Sequence, residues 1–122
     1  MQLLKSSAAE LAPEFGIMAG RWSQYPQLGG LPFGAMWCQI APGERSNPDC
    51  HPERELVVVM QGTLHVQASG RDEVAPAGTA VLLDSTEEHV LVNPSAQDPV
   101  VMLSIYWLPE EANGQETAGT GQ

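Results

Sequence analysis

The chain has 122 residues, with 15 Asp and Glu against five Lys and Arg, and a formal net charge of −10. That length suits one domain with a core of its own, and a hydrophobic share of 43% excludes an intrinsically disordered protein. The charge excludes nucleic acid and anionic membrane surfaces as expected partners, because phosphates would repel the chain.

Residues 1–34 read as a lead-in. SSAAEL predicts one or two helical turns capped by Ser6 or Ser7. The opening MQLLKSSAAELAPEFG lacks the continuous apolar run of a secretory signal, and no stretch is apolar and long enough to span a bilayer. A cytoplasmic setting is expected, with Cys38 and Cys50 reduced; the sequence leaves a Cys38–Cys50 bridge open. Residues 20–34 are rich in Gly, Pro and aromatics without a lasting period. They predict a short strand and loops.

The pattern changes at residue 35. AMWCQIA predicts a strand, closed by a turn at Pro42-Gly43. ELVVVM is continuous and β-branched, which predicts a strand buried on both faces. TLHVQA alternates, with Leu64, Val66 and Ala68 on one face and Thr63, His65 and Gln67 on the other. A hairpin turn is expected at residues 69–72, and Glu73-Val74 leads into another turn at Pro76-Ala77-Gly78. TAVLLD, HVLVN and PVVMLSIYW predict three more strands, separated by turns at STEE and PSAQD. Residues 109–122 are small, polar and acidic, the composition of a disordered tail or a linker. About eight short strands with regular turns predict an all-β sandwich or barrel such as a jelly roll.

Chemistry concentrates around residue 50. Asp49, His51, Glu53 and Glu55 recur at every second position, but Pro52 breaks a single strand. A turn at 52–54 would put Asp49 and His51 on one strand and Glu55 at the head of the next. A carboxylate entering a barrel interior is costly unless paired or bound to a cation, so Glu55 points to a cation site. His65 reads as a surface residue and Glu53 as a solvent-facing turn residue. Cys50 points away from the Asp49 and His51 face, and Glu87 and Glu88 form a solvated turn. Val57, Val59, Leu83, Leu91 and Met102 are candidates for an apolar pocket wall, with aromatic surface from Trp37, Tyr106 and Trp107.

The spacing of these residues resembles the two motifs of the cupin superfamily. The first motif runs Gly, spacer, His-x-His, three or four residues, Glu, six residues, Gly. His51, Glu55 and Gly62 stand at the second histidine, the glutamate and the closing glycine, with Pro42-Gly43 ahead of them. The second motif runs Gly, five residues, Pro-x-Gly, two residues, His, three residues, Asn. Gly78, His89 and Asn93 match it. The match extends over residues 35–107, and there are three departures. Asp49 replaces the first histidine, and Asp84 and Thr86 replace the Pro and Gly of the second motif.

The resemblance implies a small single-domain cupin, a double-stranded β-helix (jelly-roll barrel) spanning residues 35–108 after the lead-in. It implies one divalent metal ion held by His51, Glu55 and His89, with Asp49 as a further ligand or as an acid–base group. Two imidazoles and one carboxylate suit Fe(II) or Zn, and also admit Mn, Ni or Co. A metal-dependent enzyme acting on a small organic substrate follows, such as a dioxygenase, isomerase or cyclase. The alternatives are a non-catalytic binding or sensing cupin, and a module fused to a larger synthetase that forms a nitrogen–nitrogen bond. A homodimer with exchanged N-terminal strands is also implied.

Overall fold

A computed structural model describes residues 1–110. The predicted tail at 109–122 therefore lies almost wholly outside the described residues. Nine strands form two antiparallel sheets. They are β1 (Ala12–Glu14), β2 (Ile17–Arg21), β3 (Gly34–Ile40), β4 (Arg54–Gln61), β5 (Thr63–Ala68), β6 (Arg71–Pro76), β7 (Ala80–Leu83), β8 (His89–Val92) and β9 (Val100–Trp107). The larger sheet runs β1-β2-β3-β9-β4-β7 and the smaller β6-β5-β8. The fold is the jelly-roll barrel expected of a cupin, and its apolar core lies between the sheets.

The lead-in is more ordered than its composition suggested. Its helical turn is one 3₁₀ turn at Ser6–Ala8, flanked by Lys5 with no side-chain cap. The expected serine cap is absent because Ser6 and Ser7 lie within the turn and Lys5, which has no side-chain acceptor, takes the cap position. β1 and β2 form a hairpin through Phe15 and Gly16, both at positive φ (56° and 81°), the geometry of a type I′ turn. The turn presses on the segment before β4, where Asn47 N–H donates to Phe15 C=O at 2.7 Å. The loops after β2 contain two further 3₁₀ turns, Trp22–Gln24 and Pro26–Leu28.

Two strand expectations need correction. β4 is not buried on both faces: Glu55, Val57 and Val59 point inward, while Leu56 and Val58 face outward and remain half-buried. Its apolar outer face arises because neighbouring strands also carry apolar residues there. Leu56 pairs with Leu82 and Ile105, and Val58 with Ala80 and Leu103. The second correction concerns Glu73-Val74, which belongs to a full strand, β6, pairing along the whole of β5. Four of its six residues are exposed charges or Val74, so no buried face marked it in sequence.

Two motif residues apart from His51, Glu55 and His89 hold the barrel together. Asn93 is buried; its Nδ2 donates to the carbonyls of Ile40 and Asp98, and its Oδ1 accepts from Ser95 N–H. Gly62 has φ +83° and packs against Pro99, so any Cβ there would collide with backbone.

Candidate metal centre

The segment before β4 brings the site together. Asp49 pairs with His89 as an isolated antiparallel bridge, each backbone bonding the other (3.1 and 2.9 Å). His51 lies in an irregular stretch, so Asp49 and His51 do not share a strand, contrary to the expectation; Pro52 ends the pairing. Thr86 N–H donates to His51 C=O at 2.7 Å, fastening this stretch to the turn before β8.

Both imidazoles are held in the same way. His51 Nδ1 lies 3.0 Å from Glu53 C=O, and His89 Nδ1 lies 2.9 Å from Glu87 C=O. A carbonyl only accepts, so each Nδ1 carries the proton and each Nε2 is turned to the cavity. The rings stand edge to face, with centroids 5.2 Å apart. Glu55 Oε1 lies 3.1 Å from His51 Nε2 and 3.7 Å from His89 Nε2. Its other oxygen accepts from the hydroxyl of buried Ser104 on β9.

These separations fit a shared ion. Ligands about 2.1 Å from a metal lie about 3.0 Å apart in octahedral and about 3.4 Å apart in tetrahedral geometry. Asp49, His51 and His89 also bring one donor atom each within 4.8 Å of one another. The imidazole pair thus clusters with Asp49, while Glu55 approaches each ring through Oε1 without joining that cluster. Glu55 is 6% exposed and His89 4%, whereas Asp49 and His51 are half-buried at the cavity side. A buried carboxylate facing two imidazoles is the donor chemistry of a divalent-cation site.

Electrostatics follow from this packing. Burial works against a charge on His51, but the hydrogen bond and charge of Glu55, the Glu53 carbonyl and Asp49 outweigh it and raise its pKa. The Cys38 thiol on the cavity wall is pushed up to about 12, first by burial and then by Glu55. It stays a neutral thiol, which is a poor metal ligand.

The cluster opens into a cavity of about 180 Å³ between the sheets. Val57, Leu91 and Met102 line it as expected, and so does Tyr106. Val59 and Leu83 instead pack in the core, beside the cavity-lining Met102 and Glu55 with which they pair in register. Trp37 is on the outer face of β3 against Trp22, and Trp107 likewise alternates away from the cavity. Glu53 lines the cavity and is not a simple solvent-facing turn residue, because its carbonyl turns in to hold His51. Cys38 and Cys50 are both free. Phe15 and Arg21 also line the cavity, and neither was legible as a site residue. Their only sequence trace is a Gly after Phe15 and an Arg ending an apolar run.

The family model for the cupin domain matches residues 36–106. Among solved structures, a Cupin 2 conserved barrel domain protein from Salinispora arenicola is 28% identical, with 88% of each chain covered and a TM-score of 0.77. A predicted oxalate decarboxylase from Thermotoga maritima is 17% identical, covering 88% of this chain and 100% of its own, with a TM-score of 0.73. The polyketide cyclase RemF from Streptomyces resistomycificus is 18% identical, covering 87% and 78%, with a TM-score of 0.72. A search of curated protein sequences finds no match. With its barrel, its motif residues and a family match over more than half its length, this chain belongs to the cupin domain family.

Proposed function

We propose that the protein is a metal-dependent cupin enzyme acting on a small organic molecule. One observation carries the reading: two imidazole Nε2 atoms and a buried carboxylate oxygen converge at the end of an apolar cavity. His51, His89 and Glu55 would hold the ion, with both rings pre-set by the Glu53 and Glu87 carbonyls. Fe(II) or Zn suits this set best, with Mn, Ni or Co also accommodated. Such an ion supplies Lewis acidity, or an oxygen-binding centre if it is iron. Asp49 sits beside both imidazoles and is placed to take up or return a proton on a bound molecule. The apolar walls exclude water from that transfer. Two neighbours of the same fold, a predicted oxalate decarboxylase and a polyketide cyclase, are named for reactions on small organic molecules, which agrees with the reading.

A second role for Asp49, as a metal ligand, is favoured by its place within 4.8 Å of the imidazole donors. Metal analysis of purified variants tests both readings. His51→Ala and His89→Ala should each lose the stoichiometric ion; retention of full metal content by both would refute the site. Asp49→Asn separates the two roles. It keeps the ion if Asp49 is an acid–base group and loses it if Asp49 is a ligand.

We also propose a homodimer. The outer face of β9, β4 and β7 carries Leu56, Val58, Leu103, Ile105 and the 49%-exposed Leu82, an apolar surface suited to a second sheet.

A further inference from the structure

The cavity has a second polar pole that the metal reading does not use. Arg21, at the end of β2, is the one Lys or Arg among its lining residues. Its Nη1 donates to Tyr106 Oη at 2.6 Å, and its Nη2 donates to Glu14 Oε1 at 2.8 Å. The guanidinium also lies 5.9 Å from the centroid of the Tyr106 ring. Braces from β1 and β9 thus fix one arginine head from two sides. Tyr106 reaches it because its cross-strand neighbour on β3 is Gly34; a Cβ at Gly34 would overlap the phenol ring. On its other side Tyr106 pairs in register with Glu55, so one residue links the two poles.

A purely structural ion pair does not account for this arrangement. Arg21 and Glu14 are 40% and 32% exposed, and a pair that open contributes little to stability. The hydrogen bond and charge of Glu14 raise the pKa of the guanidinium, against the opposing effect of partial burial. Among the described residues, two of its five N–H donors are engaged by side chains, which leaves donors for an acceptor in the cavity.

The charge balance of the wall selects that acceptor. Asp49, Glu53 and Glu55 face the same space. A divalent ion and Arg21 together offset three of the four carboxylates at hand, Glu14 included, and leave the wall one charge negative. A dianion such as a phosphate ester is therefore disfavoured, whereas a monoanionic carboxylate gains charge-assisted hydrogen bonds from the N–H donors that Arg21 has left. Size narrows it further, since about 180 Å³ is near the roughly 150 Å³ that admits benzene. We infer that Arg21, positioned by Glu14 and Tyr106, anchors the carboxylate of a small, largely apolar monocarboxylic acid of about one-ring size, whose far end reaches the His51–Glu55–His89 pole. This rests on the metal-dependent reading for the far end only; the arginine pole is independent of it.

Calorimetric titration with 4-hydroxybenzoate and with its methyl ester tests the inference, on metal-loaded and metal-free protein. The parent should bind the acid at least about 10-fold more tightly than the ester. Arg21→Gln should weaken the acid about 10- to 100-fold and leave the ester within twofold. Tyr106→Phe should weaken the acid several-fold, again without moving the ester; a merely structural role would weaken both alike. Arg21→Lys keeps the charge without the fork, should fall between, and stands in if Arg21→Gln does not fold. An acid bound no better than its ester by the parent, including no binding of either, overturns the inference. So does a preference for the acid that survives Arg21→Gln. Metal content measured on the same samples separates the two readings. Absent metal with a retained, Arg21-dependent acid preference overturns the metal reading alone.

Discussion

His51 should make the metal-free protein lose stability as pH rises, and a bound ion should reverse that trend. The perturbation is His51→Gln, compared with the parent between pH 6 and 8, with chelator and with saturating zinc. In the metal-free protein His51 Nδ1 donates to Glu53 C=O at 3.0 Å while Nε2 faces Glu55 Oε1 at 3.1 Å. With Glu55 ionised, both contacts need a proton, and the folded-state pKa of His51 is raised. A raised pKa contributes stability that is fully present below the unfolded value of about 6.5. That stability is lost as pH climbs through the folded value. In this window the native state holds a fraction of a proton more than the unfolded chain, at most one, so stability falls with a slope that cannot exceed about 1.4 kcal/mol per pH unit. For a domain of this size that limit is a drop in Tm of roughly 4–6 °C per unit. With zinc, protons compete with the ion for Nε2, so stability rises with pH instead. Thermal melts followed by circular dichroism read both slopes, and the parent-minus-variant difference isolates His51 from the other titrating groups. Parallel pH profiles for parent and His51→Gln in chelator would refute the reasoning.

Three further outcomes are expected. Thr86 stands at φ +61°, in the region glycine prefers, at the position where the second motif has Gly. Thr86→Gly should raise stability by about 0.5–1 kcal/mol, read as an increase in Tm, because relief of β-branched strain exceeds the added chain entropy. Gly34→Ala should lower stability by about 1–3 kcal/mol in denaturant titrations, since the new Cβ must displace the Tyr106 ring. In sedimentation equilibrium the parent should behave as a dimer and Leu82→Glu as a monomer, the carboxylate falling on the apolar outer face of β7.

Legibility followed from how locally each feature is encoded. β5 was readable residue for residue because TLHVQA alternates between core and solvent. The convergence of His51, Glu55 and His89, the proposed donors, was readable because motif spacing fixes where they fall relative to tight turns. The β1–β2 hairpin was not readable: a type I′ turn signals itself by Asn-Gly or Asp-Gly, and here Phe15 takes the left-handed position. Arg21 was hidden for a different reason. Its role depends on Tyr106 and Glu14, which lie 85 and seven residues away, and on Gly34 leaving room between them. Val59 and Leu83 share the face of Val57, so alternation could not tell a cavity wall from the core beneath it. Leu56 and Val58 misled because an apolar outer face reads the same whether a helix, a sheet or a second copy covers it.

The strand order has a bearing on assembly of the chain itself. β9, made after the other eight described strands, lies between β3 and β4 in the middle of the larger sheet. Until residue 107 is available, the β1-β2-β3 ladder and the β4-β7 pair each expose an unpaired edge that only β9 can fill. A growing chain can close the local β5–β6 hairpin early, but Ser104 and Tyr106 reach Glu55 and Arg21 only at the end. Folding is thus committed by a long-range insertion, the slow class of pairing, and is sensitive to anything that delays or caps the C-terminal strand.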